Sequence, residues 1–194
     1  MAGRSRVVVG GLPGVGKTTV LNGVVQKLVA DSRSALLVVF GSVMLDEAKK
    51  MGVKDRDSIR LLPVKDQREL QISAARRISN IDADYVFIDT HFIIRTKEGL
   101  WPGLPLDILR EINPTHIVLV EAPVYDIVKR READRTRKRD WESEEEIQNE
   151  IEVSRQFMVV ASAYTGAPMK IINNLDGRAT DAMEELLYTL KGRV

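Results

Sequence analysis

Apolar residues along the chain cluster in short unbroken runs: "RVVVG" (6–10), "ALLVVF" (35–40), "YVFID" (85–89), "HIVLVE" (116–121) and "KIINN" (170–174). These runs are β-branched and nearly continuous rather than alternating, the pattern of strands covered on both faces. The segments between them carry apolar residues at helical spacing, as in "KTTVLNGVVQKLV", where Val20, Leu21, Val24, Val25 and Leu28 recur. Strand runs separated by helical crossovers predict a doubly wound α/β domain. Its five strands are expected to form one parallel sheet with helices on both faces and the site at the strand carboxyl ends.

Two stretches depart from the alternation. Residues 42–80 read as two or three helices with no strand, and residues 129–146 switch from basic ("KRREADRTRKR") to acidic ("DWESEEE"). Both follow a strand, so both are expected on the edge where the site lies. A turn near Asp140 should divide the second, with Ser143 capping the next helix ahead of Glu146.

Composition narrows the choices. With 194 residues the chain predicts a single domain, and 44% hydrophobic content supplies a core. The balance of 29 basic against 28 acidic residues leaves a net charge of +1, which argues against a nucleic-acid binder and confines positive function to local clusters. The absence of cysteine excludes disulfide frameworks and thiolate metal sites. With no apolar leader and no stretch long enough to span a bilayer, a cytoplasmic protein without membrane contact is expected.

The run "GGLPGVGKTT" follows the first strand and opens the first helix, and it fills the pattern G-x-x-x-x-G-K-[ST] with Gly11, Gly16, Lys17 and Thr18. Glycines let backbone N–H groups approach an anion closely, and the helix adds its positive end. Gly11, Leu12, Pro13, Gly14, Val15, Gly16, Lys17, Thr18 and Thr19 are therefore expected to wrap a nucleotide's phosphates. In this reading Lys17 faces solvent and reaches the phosphates, and Thr18 offers a hydroxyl to Mg²⁺. The competing reading is an accidental tight turn, which has a chance frequency on the order of 1% for a chain of this length. The strand, loop and helix context lowers it further.

Asp89 ends a buried strand run and is the candidate to hold Mg²⁺ through water, with a cap or turn role as the plain alternative and Glu121 as competitor. His91 reads as a polar wall residue or hydrogen-bond donor, since the sequence holds only two histidines. The arginines of 129–139 fit a clamp on a transferring phosphoryl group; a solvated helix face ranks second and RNA binding third, for want of interleaved aromatics. Further arginines in "KDRDSIR" (54–60) and "FIIRT" (92–96) exceed what one triphosphate needs, which suggests a second phosphorylated substrate.

Together these residues give the chain a resemblance to the archaeal adenylate kinases, a branch of the nucleoside monophosphate kinases of the P-loop NTPase fold. The resemblance runs nearly the whole length through "GLPGVGKTT", "GSVMLDEAKK", "KDRDSIR", "FIDTHFIIRT", "PGLP", "INPTHIVLVEA" and "RTRKRD". It implies one kinase domain over 1–194, with residues 41–80 as an AMP-binding lobe and 138–143 as a short lid. It also implies Mg²⁺-dependent transfer, ATP plus AMP giving two ADP, with Lys17, Arg130, Arg137 and Arg139 as catalytic groups. Arg56, Arg60, His91 and Arg95 are implied on the AMP side, Thr18 and Asp89 at the metal, and a homotrimer as the assembly. Arg155 stands where this branch also tends to carry arginine.

Two departures are visible: the usual Thr-Gly-Asp start of the AMP lobe reads Gly41, Ser42, Val43, and the second of two lid arginines spaced four apart is replaced by Asp134. Two other classes stay open here: a kinase for another nucleotide or small metabolite, and an ATP-binding switch with little turnover. The helix through "EIEVSRQFMVVASAYTG" is apolar around much of its circumference, so its surplus face is covered either by a neighbouring helix or by another subunit.

Overall fold

In the computed structural model the residues described are 4–55, 58–59, 61–96, 98–133 and 143–191. The strands are β1 (Ser5–Gly10), β2 (Ala35–Val39), β3 (Tyr85–Asp89), β4 (Ile93–Thr96), β5 (Gly99–Pro102), β6 (His116–Glu121) and β7 (Met169–Asn173). The helices are α1 (Lys17–Ala30), α2 (Phe40–Lys50), α3 (Val64–Ser79), α4 (Leu106–Ile112), α5 (Val124–Ala133), α6 (Glu144–Thr165) and α7 (Ala179–Lys191).

Five of the strands form one parallel sheet in the order β2-β3-β1-β6-β7, as the apolar runs predict. β1 lies at the centre between β3 and β6, so the loop that follows it emerges at the point where the strand order reverses. Alternate residues feed two cores. Val7, Val9, Phe87, Val118 and Val120 pack with α1 and α7, whereas Val8, Val86, Ile88, Ile117 and Leu119 pack with α3 and α4. Both faces are buried, which is why the runs show no polar alternation.

α6 serves both cores: Ile147 and Ile151 near its start belong to the first, and Met158 and Ala161 near its end to the second. That accounts for part of its wide apolar circumference. Val159 and Val160 nevertheless stay about half exposed, at 49% and 52%, and no neighbouring helix among the described residues covers them.

The excursion after β2 is helical, but its first helix starts at Phe40, inside the run read as a strand. Phe40 thereby turns into the second core. The antiparallel hairpin β4–β5, pairing Ile93 with Pro102 and Thr96 with Gly99, is absent from the sequence expectation. Its strands are four residues each and mostly exposed, so no apolar run announces them. Phe92, just before the hairpin, wedges against the root of the loop after β1. A Cβ on Gly10 would sit 2.6 Å from its ring, and the ring stacks on Phe157 of α6 at 5.3 Å between centroids.

The expected cap at the start of α6 is present. Glu146 N–H donates to Ser143 Oγ at 3.2 Å, and Ser143 N–H donates to Glu146 Oε2 at 2.8 Å. The Ser143 backbone N–H, and then the nearby Arg95 charge, hold the Glu146 carboxyl below its ordinary 4.5. A depressed native pKa gives stability that is complete above pH 4.5 and fades as the pH falls through the lower native value. Ser143→Ala should therefore lower unfolding free energy by about 1 kcal/mol in urea titrations at neutral pH. The deficit of Glu146→Gln against the unmodified chain should shrink as the pH drops below 4.5.

Candidate active site

The loop after β1 is built from backbone geometry that side chains would spoil. Gly11, Gly14 and Gly16 have φ of +150°, +95° and +79°, where glycine is favoured. A Cβ on Gly11 would also lie 2.5 Å from the Val120 carbonyl oxygen, and one on Gly16 would meet the Asn174 amide. Gly16 is the N-cap of α1, with no side-chain cap and no acidic residue in the first turn, so the positive end of the helix faces the loop.

Asp89, at the end of β3, closes the site from the neighbouring strand. Its Oδ1 lies 2.9 Å from Lys17 Nζ, and its Oδ2 accepts from Thr18 Oγ1 at 2.9 Å. Lys17 is not solvent-facing: it is only 7% exposed, and Asp89 only 6%. Burial is tolerated because each charge neutralises the other. A hydroxyl and a carboxylate meeting over a glycine cradle form a donor set suited to a hard divalent cation, which would take its remaining oxygens from phosphate and water. Among the described residues no group of three or more His, Asp or Glu side chains gathers to hold a metal by protein ligands alone.

Glu121, the competing carboxylate, is engaged elsewhere. Arg155 of α6 grips it in bidentate fashion, Nε to Oε1 at 2.7 Å and Nη2 to Oε2 at 2.6 Å, and these hydrogen bonds raise the arginine's high pKa further. His91 Nδ1 stands 2.8 Å from the Gly11 carbonyl oxygen. A carbonyl can only accept, so Nδ1 carries the proton and His91 is a donor to the loop.

The arginines separate into distinct environments. Arg95 on β4 donates to Glu150 Oε1 at 2.6 Å and to Glu146 Oε1 at 2.9 Å, both on α6. Arg130 on α5 donates through Nη1 to Val15 O at 3.2 Å and to Gly14 O at 3.5 Å, and through Nη2 to Asn174 O at 3.2 Å. Its neighbour Arg131 donates to Pro13 O at 2.9 Å. The structure thus sets Arg130 against the outer, carbonyl side of the loop. Arg56, Arg60, Arg137 and Arg139, and residues 138–142 of the expected lid, lie outside the described residues.

Sequence reasoning passed over Glu150 and Asn174, and it placed Arg131 only among the clamp arginines of 129–139, not on the Pro13 carbonyl. Glu150 had a usable signal, a carboxylate at a position that helical spacing places on the buried side with Ile147 and Ile151. Asn174 had none, because only the return of β7 to the sheet brings it beside Val15, 159 residues earlier in the chain.

A parallel sheet whose central strand runs into a glycine loop, with lysine and threonine opening the helix that follows, defines a P-loop phosphotransferase domain, and comparison with known proteins agrees. A family model described as "AAA domain" matches residues 10–148. Adenylate kinase of Methanocaldococcus jannaschii is 41% identical over 187 residues, covering 95% of this chain and 97% of that protein. Those of Methanopyrus kandleri and Pyrococcus furiosus are 40% and 38% identical, each over 95% of this chain and over 97% and 94% of those proteins. The chain belongs to the adenylate kinase family within this class. Among solved structures, shikimate kinases from Bacteroides thetaiotaomicron and Acinetobacter baumannii superpose with a TM-score of 0.61 at 16% identity. They cover 96% and 100% of this chain and 98% and 97% of their own. At that identity the likeness concerns the fold.

Two substitutions test the cradle. Gly11→Ala should weaken MgATP binding at least tenfold and cost on the order of 1–3 kcal/mol of stability, because the Val120 carbonyl cannot move without disturbing β6. Asp89→Asn should weaken ATP binding in the presence of Mg²⁺ more than in EDTA. Isothermal titration with and without the metal reads the difference.

Proposed function

We propose that the protein catalyses reversible Mg²⁺-dependent phosphoryl transfer from ATP to AMP, giving two ADP. The observation that carries the reading is the convergence of Lys17 and Thr18 on Asp89 beneath a glycine cradle, in a chain of the adenylate kinase family. In the reaction an oxygen of the AMP phosphate forms a bond to the γ-phosphorus of ATP. The bond from that phosphorus to the β–γ bridging oxygen breaks, and its electron pair leaves with ADP. No proton transfer is needed, since attacking and leaving oxygens are both phosphate oxygens. The protein's work is alignment, charge neutralisation and exclusion of water.

Residues 11–19 hold the ATP phosphates, with Lys17 exchanging Asp89 for a phosphate oxygen. Thr18 and Asp89 hold Mg²⁺, which when bound neutralises phosphate charge. Residues 41–80 close over AMP and 138–143 form the lid. Arg56, Arg60, His91 and Arg95 serve the acceptor, and Arg137 and Arg139 the transfer site. Arg130 contributes to catalysis from the loop it grips. For Arg95 to reach an AMP phosphate, that phosphate must replace Glu146 and Glu150 as its partners. The assembly is a homotrimer, and the half-exposed Val159 and Val160 on α6 support a subunit contact there. The setting is cytoplasmic, without nucleic-acid or membrane partners. Among the described residues no helix is long and apolar enough to cross a membrane.

A coupled assay of ADP formation over a panel of nucleoside monophosphates and non-nucleotide acceptors tests the reading. AMP should give the highest turnover; ATP loss that ignores the acceptor would overturn it. Arg60→Ala and Arg95→Ala should raise KM for AMP about tenfold or more with little change in KM for ATP, whereas Arg139→Ala should lower kcat. Sedimentation equilibrium should give about three times the chain mass. A concentration-independent 21.8 kDa would refute the trimer.

A further inference from the structure

We infer that Asn174 is a positioning residue for the phosphate loop, setting the peptide planes that present N–H groups to ATP. The inference rests on the reading that this loop binds the ATP phosphates. Asn174 follows β7 directly and extends the ladder by one step, its N–H donating to Glu121 O at 2.8 Å. The residue is 3% exposed, and its side-chain Nδ2 donates to the Val15 carbonyl at 2.7 Å. A planar trans peptide points its C=O and the next residue's N–H in opposite directions. Drawing the Val15 oxygen outward to Asn174 therefore turns the Gly16 N–H inward, at the residue that caps α1.

The same device recurs around the loop. Arg131 draws out the Pro13 carbonyl, Arg130 those of Gly14 and Val15, and His91 that of Gly11. Arg130 also donates to the Asn174 carbonyl, so two of these grips are joined. Asn174 is the innermost of them, and packing adds to its hydrogen bond: a side chain on Gly16 would strike its amide.

What marks Asn174 as more than filler is its other end. Its Oδ1 is buried and makes no hydrogen bond among the described residues, so the amide buries an acceptor at a cost in order to keep its donor. The amide cannot turn over, because Oδ1 would then face the Val15 oxygen. A leucine has the same branched shape, with bulkier methyls and no polar atom to bury, but it would leave the Val15 carbonyl to Arg130 alone.

Titration calorimetry on the full chain tests this with MgATP and AMP measured separately. N174L, similar in shape and without a donor, should weaken MgATP binding about tenfold while AMP binding stays within about twofold. N174D supplies a donor only when its carboxyl is protonated. Burial beside the Val15 carbonyl favours the protonated form beyond the ordinary carboxylate range, so its MgATP affinity relative to the unmodified chain at the same pH should fall as the pH rises from about 5 to about 8, while its AMP affinity does not follow. Should N174L fold poorly, N174D carries the test. MgATP affinities within twofold of the unmodified chain for both variants, a flat pH ratio for N174D, or equal losses of ATP and AMP binding would each overturn the assignment. An unmodified chain that fails to bind MgATP would instead overturn the ATP reading on which it rests.

Discussion

The site depends on one register. β1 and β3 pair in parallel with Val9 opposite Asp89, and Thr90 N–H donates to Val9 O at 3.0 Å just beyond. Side chains alternate along a strand, so Asp89 shares a face with Phe87, and Phe87 lies in the core packed by α1. The carboxylate consequently emerges at the start of that helix, where Lys17 and Thr18 stand. A slip of one residue would send Asp89 to the opposite face, toward α3 and α4, and leave Lys17 buried without a counter-charge. The apolar residues of β1 and β3 on both faces make that slip costly, and so the core fixes the chemistry.

Three buried carboxylates near this edge each find a cation on a different element. Asp89 joins β3 to α1 through Lys17, Glu121 joins β6 to α6 through Arg155, and Glu150 joins α6 to the β4 strand through Arg95. A carboxylate buried alone would lose its hydration without compensation, and each of these three has a counter-charge within hydrogen-bond distance. The long helix α6 carries two of the three pairs and both cores, so it holds the hairpin and the strand ends in a fixed relation. Glu146 adds a further contact, since its carboxylate accepts from Arg95 and from the Ser143 backbone at once.

Much of this was legible in the sequence because it rests on local signals. The five strands announced themselves as apolar runs, the loop as glycines at fixed spacing, and the start of α6 as Ser143 three residues before Glu146. What escaped needed the tertiary fold. Phe40 reads as the end of a strand until the second core claims it. The β4–β5 hairpin carries too little apolar surface to register as periodicity. Lys17 reads as an exposed phosphate ligand because nothing near it in sequence reveals that Asp89 waits 72 positions later. Asn174 is an ordinary polar residue at a strand end, and its meaning comes from contact with Val15.

The wedge of Phe92 against Gly10 has a bearing on how sequences of this kind can drift. A ring and a missing side chain share one volume there, so any residue larger than glycine at position 10 requires a smaller one at position 92. Shrinking position 92 in turn removes the ring on which Phe157 stacks, and the gap passes to α6. Change at these three places is therefore viable only as a set, and a lineage would cross it in coordinated steps or leave it alone.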